Sequence, residues 1–311
     1  MTDANEPSES RRTRGALAIA LASGSWGTWS LFFRPAEAKG GVNAALEVTV
    51  IYTTILLFTA PLALRDRPRA RRPTSAFLWL GAQGVFDATN GLLFFWAMQT
   101  TTLAVAVLTH YLAPVLVALS APWVLGEKSD RRTIAALVVA FTGLVVLLEP
   151  WRGGGSAVGL GALLGGGSAL FFTASLLVAK RLQRHFAPTE IWPGTCRPGS
   201  PSACRSFPRA SPTPSRRPRA LAARRARSGA LAGVLFIRGL AHTEANRASI
   251  LMLLEPVVAV VVGVVVWNEV PRPLVWAGAA LVLGAAWLVL TTPRAPGARG
   301  LSGGGASLPR A

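Results

Sequence analysis

The sequence predicts an all-α fold: a polytopic bundle of membrane helices arranged as two inverted five-helix repeats. Three observations carry that expectation. The composition is oily, with 51% hydrophobic and only 15% charged residues, against roughly 25% charged residues in soluble domains. Apolar runs recur along the 311 residues, each near the roughly 20 residues that a spanning helix needs. The second half of the chain also repeats the first. The runs are continuous rather than alternating, which argues against a transmembrane barrel.

Taken in order, residues 1–14 (MTDANEPSESRRTR) form a polar N-terminal tail without the apolar core or cleavage site of a signal peptide. Spans are expected at 15–33, 43–64, 76–98, 103–125, 133–149, 157–179, 248–267 and 274–292. Their short connections make neighbours antiparallel. The apolar piece Gly229 to Ala241 contains Arg238 and is too short to cross alone. Residues 293–311 read as a low-complexity, disordered C-terminal tail. The domain layout is therefore a first repeat at 15–149 and a second at 157–292.

The net charge of +18 does not point to nucleic acid, because nine of the arginines lie in one block, Arg197 to Ser228. Most of the others flank spans. With the N-terminus inside and ten spans, the inside segments hold 18 Lys and Arg and the outside loops only four, the block uncounted. That asymmetry predicts that both termini are cytoplasmic, and the expected location is the inner membrane. Cys196 and Cys204 have no His nearby and no CxxC spacing, so no metal site is indicated. No phosphate loop or nucleophile motif is present, so neither a cofactor nor an enzymatic activity is expected.

The repeat is explicit. Gly91–Glu127 lies over Gly233–Glu269 at a constant offset of 142, matching Gly91 with Gly233, Phe94 with Phe236, Pro114 with Pro256 and Glu127 with Glu269. Gly15–Arg34 matches Gly161–Lys180 at an offset of 146. Five spans per half is an odd number, so the second half enters from the opposite side. Such inverted repeats place a substrate site near midplane between the halves. Two five-span halves, each with a Pro-containing fourth span and a trailing Glu, resemble the EamA-type branch of the drug/metabolite transporter superfamily. The resemblance covers about residues 15–190 and 229–292, and it implies a ten-helix bundle and, for many members, proton-coupled or facilitated export.

Residues 192–228 interrupt the pattern. They occupy the place of span seven and the start of span eight, yet Pro201 to Ala220 holds five Arg and five Pro. Five arginines cost about 12 kcal/mol or more on the insertion scale, so span seven should not form as written.

Ionisable residues within spans are the site candidates, since burying them is costly without a role or partner. Glu255, beside Pro256, could bind a proton or a cationic group, or be held by a polar group of a neighbouring helix. Asp87 and Asn90 share one helix face and could line a cavity or form a structural pair. His110 and Tyr111, just before Pro114, suit a proton relay or a packed helix contact. Glu47 lies near the outer end of span two, on the pathway or simply in water. Pro114, Pro256, Glu127 and Glu269 are the helix-break and repeat-signature residues; Glu127 suits interfacial pairing or capping. Trp26, Trp29 and Trp96 either line a path or pack, and Gly161, Gly165, Gly166 and Gly167 form a face for close helix contact.

The expected function is secondary transport, as export of small metabolites, amino acids or drugs by alternating access. The expected partners are the lipid bilayer and a small-molecule substrate, with no nucleic acid and no assigned oligomeric state. Two alternatives stay open. One is a non-transporting membrane protein whose basic loop contacts anionic headgroups. The other is an inactive transporter damaged by two compensating frameshifts around residues 192–228.

Overall fold

A computed structural model describes residues 9–28, 31, 49, 52–53, 73–127, 130–152, 158–191 and 231–291. Most of the expected second span, Glu47, Trp29, both cysteines, the 192–228 block and the C-terminal tail lie outside these residues. Every regular element among the described residues is helical: α1 (Glu9–Gly27), α2 (Thr74–Thr100), α3 (Leu103–His110), α4 (Ala113–Val124), α5 (Arg131–Leu148), a 3-10 turn (Pro150–Arg152), α6 (Val158–Leu182), α7 (Pro188–Ile191), α8 (Leu231–Leu240), α9 (Ala245–Met252), α10 (Leu254–Trp267) and α11 (Pro273–Thr291).

Five segments are long and apolar enough to cross a membrane: Leu103–Val124, Arg131–Arg152, Gly159–Leu182, Ala245–Trp267 and Pro273–Thr291. The expected first and third spans appear as α1 and α2. Helix α1 starts earlier than the apolar run does, because Arg11, Arg12 and Arg14 are good helix formers and extend it into the polar tail. Helix α2 has 27 residues, ample for a crossing, but carries Gln83, Asp87 and Asn90 along its length.

Local chemistry sets the helix ends. Asp130 caps α5 by accepting from the Thr133 N–H at 2.6 Å, and Thr102 caps α3 by accepting from the Val105 N–H at 3.3 Å. Proline lacks an N–H, and its ring clashes with the carbonyl four residues back. Those carbonyls belong to His110 and Met252, the last residues of α3 and α9. Each fourth span is therefore two half-helices, and Tyr111 and Leu253 stand at the breaks.

The backbone repeats at the sequence offset of 142. Thr102 and Glu244 are equivalent N-cap residues, and Tyr111 and Leu253 are equivalent break residues. Gly126 and Asn268 both adopt positive φ, at 71° and 54°. Glu127 and Glu269 follow them.

Packing has the same symmetry. Helix α2 of the first half runs along α6 of the second, and α5 runs along α11. Helix α1 meets α8 where Gly15 and Gly239 face each other, and a Cβ on Gly239 would strike the Gly15 carbonyl. Gly143 and Gly278 bring α5 and α11 together in the same way, since a Cβ on Gly278 would lie 2.6 Å from the Gly143 carbonyl. In lipid, close backbone approach replaces hydrophobic collapse as the source of helix association. The buried core runs through these interfaces, from Ile19 and Ala22 through Val117, Leu144 and Leu251 to Val282.

Candidate functional site

Helices α2 and α6 pack antiparallel, and polar side chains stand among the aromatic and small residues of their shared face. Near its centre Asp87 is only 3% exposed. The Ser175 hydroxyl donates to Asp87 Oδ1 at 3.3 Å, and the Gln83 amide donates to Ser175 Oγ at 3.1 Å. The Tyr52 hydroxyl sits 2.9 Å from Asp87 Oδ2 and 2.8 Å from the Asp87 backbone carbonyl.

One turn along α2, Ser168 of α6 faces Asn90. Its hydroxyl lies 2.8 Å from Asn90 Oδ1 and 3.1 Å from the Asn90 carbonyl, both acceptors. The His110 ring Nδ1 lies 2.8 Å from the same Ser168 oxygen. A serine hydroxyl has one proton, and it goes to Asn90. With Asn90 Oδ1 turned to Ser168, as here, the arrangement fits Nδ1 of His110 as the protonated, donating nitrogen. Aromatic rings enclose this imidazole: Phe94 at 4.4 Å, Tyr111 at 5.4 Å and Phe172 at 5.6 Å between centroids.

Across the break in the fourth span, the Tyr111 side chain meets the Glu255 carboxyl at the start of α10. Asp87, Asn90, His110, Tyr111 and Glu255 thus all stand within the spans, in separate polar groups around Asp87, around Ser168 and at the Tyr111–Glu255 contact. Pro114 and Pro256 shape the two breaks. The remaining candidates fall elsewhere. Trp96 is 52% exposed on the outer surface, and Trp26 packs on Phe236 at 5.4 Å. Gly161 and Gly165 abut Thr101 and Thr109, whereas nothing approaches Gly166. Glu269, just beyond the end of α10, folds back over Gly263 of that helix.

Sequence reasoning missed Tyr52, Gln83, Ser168 and Ser175. One signal was available in the repeat. The first-half offsets map Asn90 to Ala232 and His110 to Met252, and Ser168 corresponds to Ala22. Polar groups stand where the equivalent position is apolar, and Glu255 likewise replaces Ala113.

A second polar cluster ties the two halves together at one end of the bundle. Glu127 Oε2 accepts from the Ala245 N–H at 2.7 Å, so a side chain of the first half caps α9 of the second. Glu127 Oε1 lies 3.5 Å from Lys180 Nζ, which also donates to the carbonyls of Leu240, at 2.7 Å, and Thr243. Arg247 bridges Glu244 at 3.4 Å and Asp130 at 3.7 Å. Partial burial raises the Asp130 carboxyl, but bonds from the Thr133 hydroxyl and amide and the charges of Arg247 and Arg132 outweigh it and hold the group below its ordinary value. Burial, with the charges of Arg11 and Lys180, holds His242 below its ordinary value in the same region. No group of three or more metal-binding side chains occurs among the described residues.

The model of the EamA-like transporter family matches residues 13–149 and 159–291. An "Uncharacterized transporter" of Archaeoglobus fulgidus is 27% identical over 280 residues, covering 86% of this chain and 93% of that protein. A solved structure described as "Crystal structure of protein" superposes with a TM-score of 0.71 at 20% identity, over 92% of this chain and 99% of that one. That likeness bears on the fold alone.

Proposed function

Since the chain belongs to the EamA-like transporter family, we propose that this multi-pass membrane transporter exports small metabolites, amino acids or drugs across the inner membrane by alternating access. The observation that supports the reading is the set of polar groups buried within the spans, from Asp87, Asn90 and His110 in the first half to Ser175, Ser168 and Glu255 in the second. Buried carboxylates in a span are costly unless they meet protons or cations during function. Glu255 sits where a helix is already broken, so its surroundings can rearrange without unmaking a continuous hydrogen-bond ladder.

The end tied together by Glu127, Lys180 and Arg247 is the one to which the basic connections map, so the positive-inside rule makes it cytoplasmic, with both termini on that side. Alternating access would require these contacts between the halves, the Ala245 N–H to Glu127 bond among them, to break when this end opens. Binding and rocking of the halves do the work, with no cofactor assigned.

Reconstitution into vesicles carrying an internal pH dye tests the coupling. An imposed proton gradient should drive flux of a substrate taken from a panel of amino acids and small metabolites. That flux should fall at least tenfold in Glu255→Gln. Flux that ignores pH and is unchanged in both Glu255→Gln and Asp87→Asn would remove the two carboxylates from the mechanism.

A further inference from the structure

We propose that Asp87 carries a proton in this conformation, and that Tyr52, Asp87, Ser175 and Gln83 form the site where the coupling proton is held. The inference rests on the proton-coupled reading above for its purpose, but on hydrogen-bond accounting for its substance. The Ser175 hydroxyl has one proton, and Asp87 Oδ1 takes it. The Gln83 amide then fills the remaining side of Ser175 Oγ. The Tyr52 hydroxyl also has one proton but faces two acceptors of the same residue, the Asp87 carbonyl at 2.8 Å and Oδ2 at 2.9 Å.

If Asp87 were ionised, one of those two short contacts would bring lone pairs together, or a single proton would be split between them. A proton on Oδ2 resolves both contacts. Oδ2 donates to the Tyr52 oxygen, and the Tyr52 proton goes to the backbone carbonyl. Each hydroxyl and carboxyl hydrogen of Tyr52, Asp87 and Ser175 then has one acceptor, and Gln83 Oε1 is the buried atom of the group left without a partner. Buried groups left unsatisfied are strongly disfavoured, so the neutral acid fits the geometry.

The surroundings agree. Helix α2 packs against α6 and α3. On α3 the imidazole of His110 faces Ser168, and on α6 Lys180 is bound to Glu127 and to the Leu240 and Thr243 carbonyls. The titratable group that meets Asp87 among the described residues is Tyr52, and no Lys or Arg side chain meets it there. Asn90, Ser168 and His110 form a separate polar group one turn further along α2.

Infrared spectroscopy of the full chain in lipid vesicles reads the proton directly. At neutral pH the exposed carboxyls are ionised, so a C=O stretch of a protonated acid marks a buried one. A Glu255→Gln protein, in which no band can come from Glu255, should show the band, and adding Asp87→Asn should remove it. Ser175→Ala should move it to higher wavenumber by removing the hydrogen bond to its carbonyl oxygen, which also covers the case of an unstable Asp87→Asn. A Glu255→Gln protein without the band, a band that survives when Asp87→Asn is added to Glu255→Gln, or a band indifferent to Ser175→Ala overturns the proposal. The outcome is separate from transport. Band present without coupled flux removes the coupling reading and leaves the proton site; coupled flux without the band does the reverse.

Discussion

Asp130 shows how one side chain serves two purposes. It caps α5 through Thr133 and pairs with Arg247 across the two halves. Removing such a cap costs about 1 kcal/mol, so Asp130→Ala should lower the thermal midpoint in detergent by a few degrees. The pH dependence has a definite sign. The folded-state carboxyl lies below its ordinary value, so its contribution is present in full above about pH 4 and is lost as pH falls through the folded value. The difference between wild type and Asp130→Ala should shrink in acid and stay constant between pH 6 and 8. At this scale the sequence was readable for charges and poorly readable for neutral polar groups. Asp87, Asn90, His110 and Glu255 stood out because ionisable and amide groups are rare in apolar runs. Ser168 and Ser175 did not, because a serine in a span becomes significant only when its partner on another helix is known.

The two broken spans are the elements on which the site depends. Their prolines predict an interruption, and the carbonyl four residues earlier fixes where each first half-helix stops. What the sequence could not show is which neighbour fills each break: Tyr111 reaches Glu255 across the gap between α3 and α10. The cap on α9 was equally hidden, since Glu127 and Ala245 are far apart in sequence yet 2.7 Å apart as acceptor and donor. Its consequence is measurable. Ala245 is fully buried, so in a Cys196→Ser, Cys204→Ser background, Ala245→Cys should react slowly with a membrane-impermeant maleimide. Adding Glu127→Ala should speed that labelling roughly tenfold, the factor corresponding to about 1.4 kcal/mol of lost closure. An unchanged rate would mean that the contact does not hold this end shut.

For the whole molecule, the repeat in the sequence became a symmetry of packing. Helix α2 lies along α6 as α8 lies against α1, and α5 and α11 pair with each other. The Arg/Pro/Ser block at 192–228 is where that symmetry has no sequence counterpart. The frameshift reading makes a plain prediction: the nucleotide sequence of this window, translated in another frame, should encode an apolar helix. If every frame is polar, the block is an acquired loop, and protease added from the cytoplasmic side should cut there. One further property follows from composition and placement together. The chain has two tyrosines, Tyr52 and Tyr111, and their hydroxyls rest on Asp87 and Glu255. The molecule is in effect pre-labelled: replacing tyrosine with fluorotyrosine throughout would give two resonances, one reporting on the carboxylate of each half, with no background to subtract.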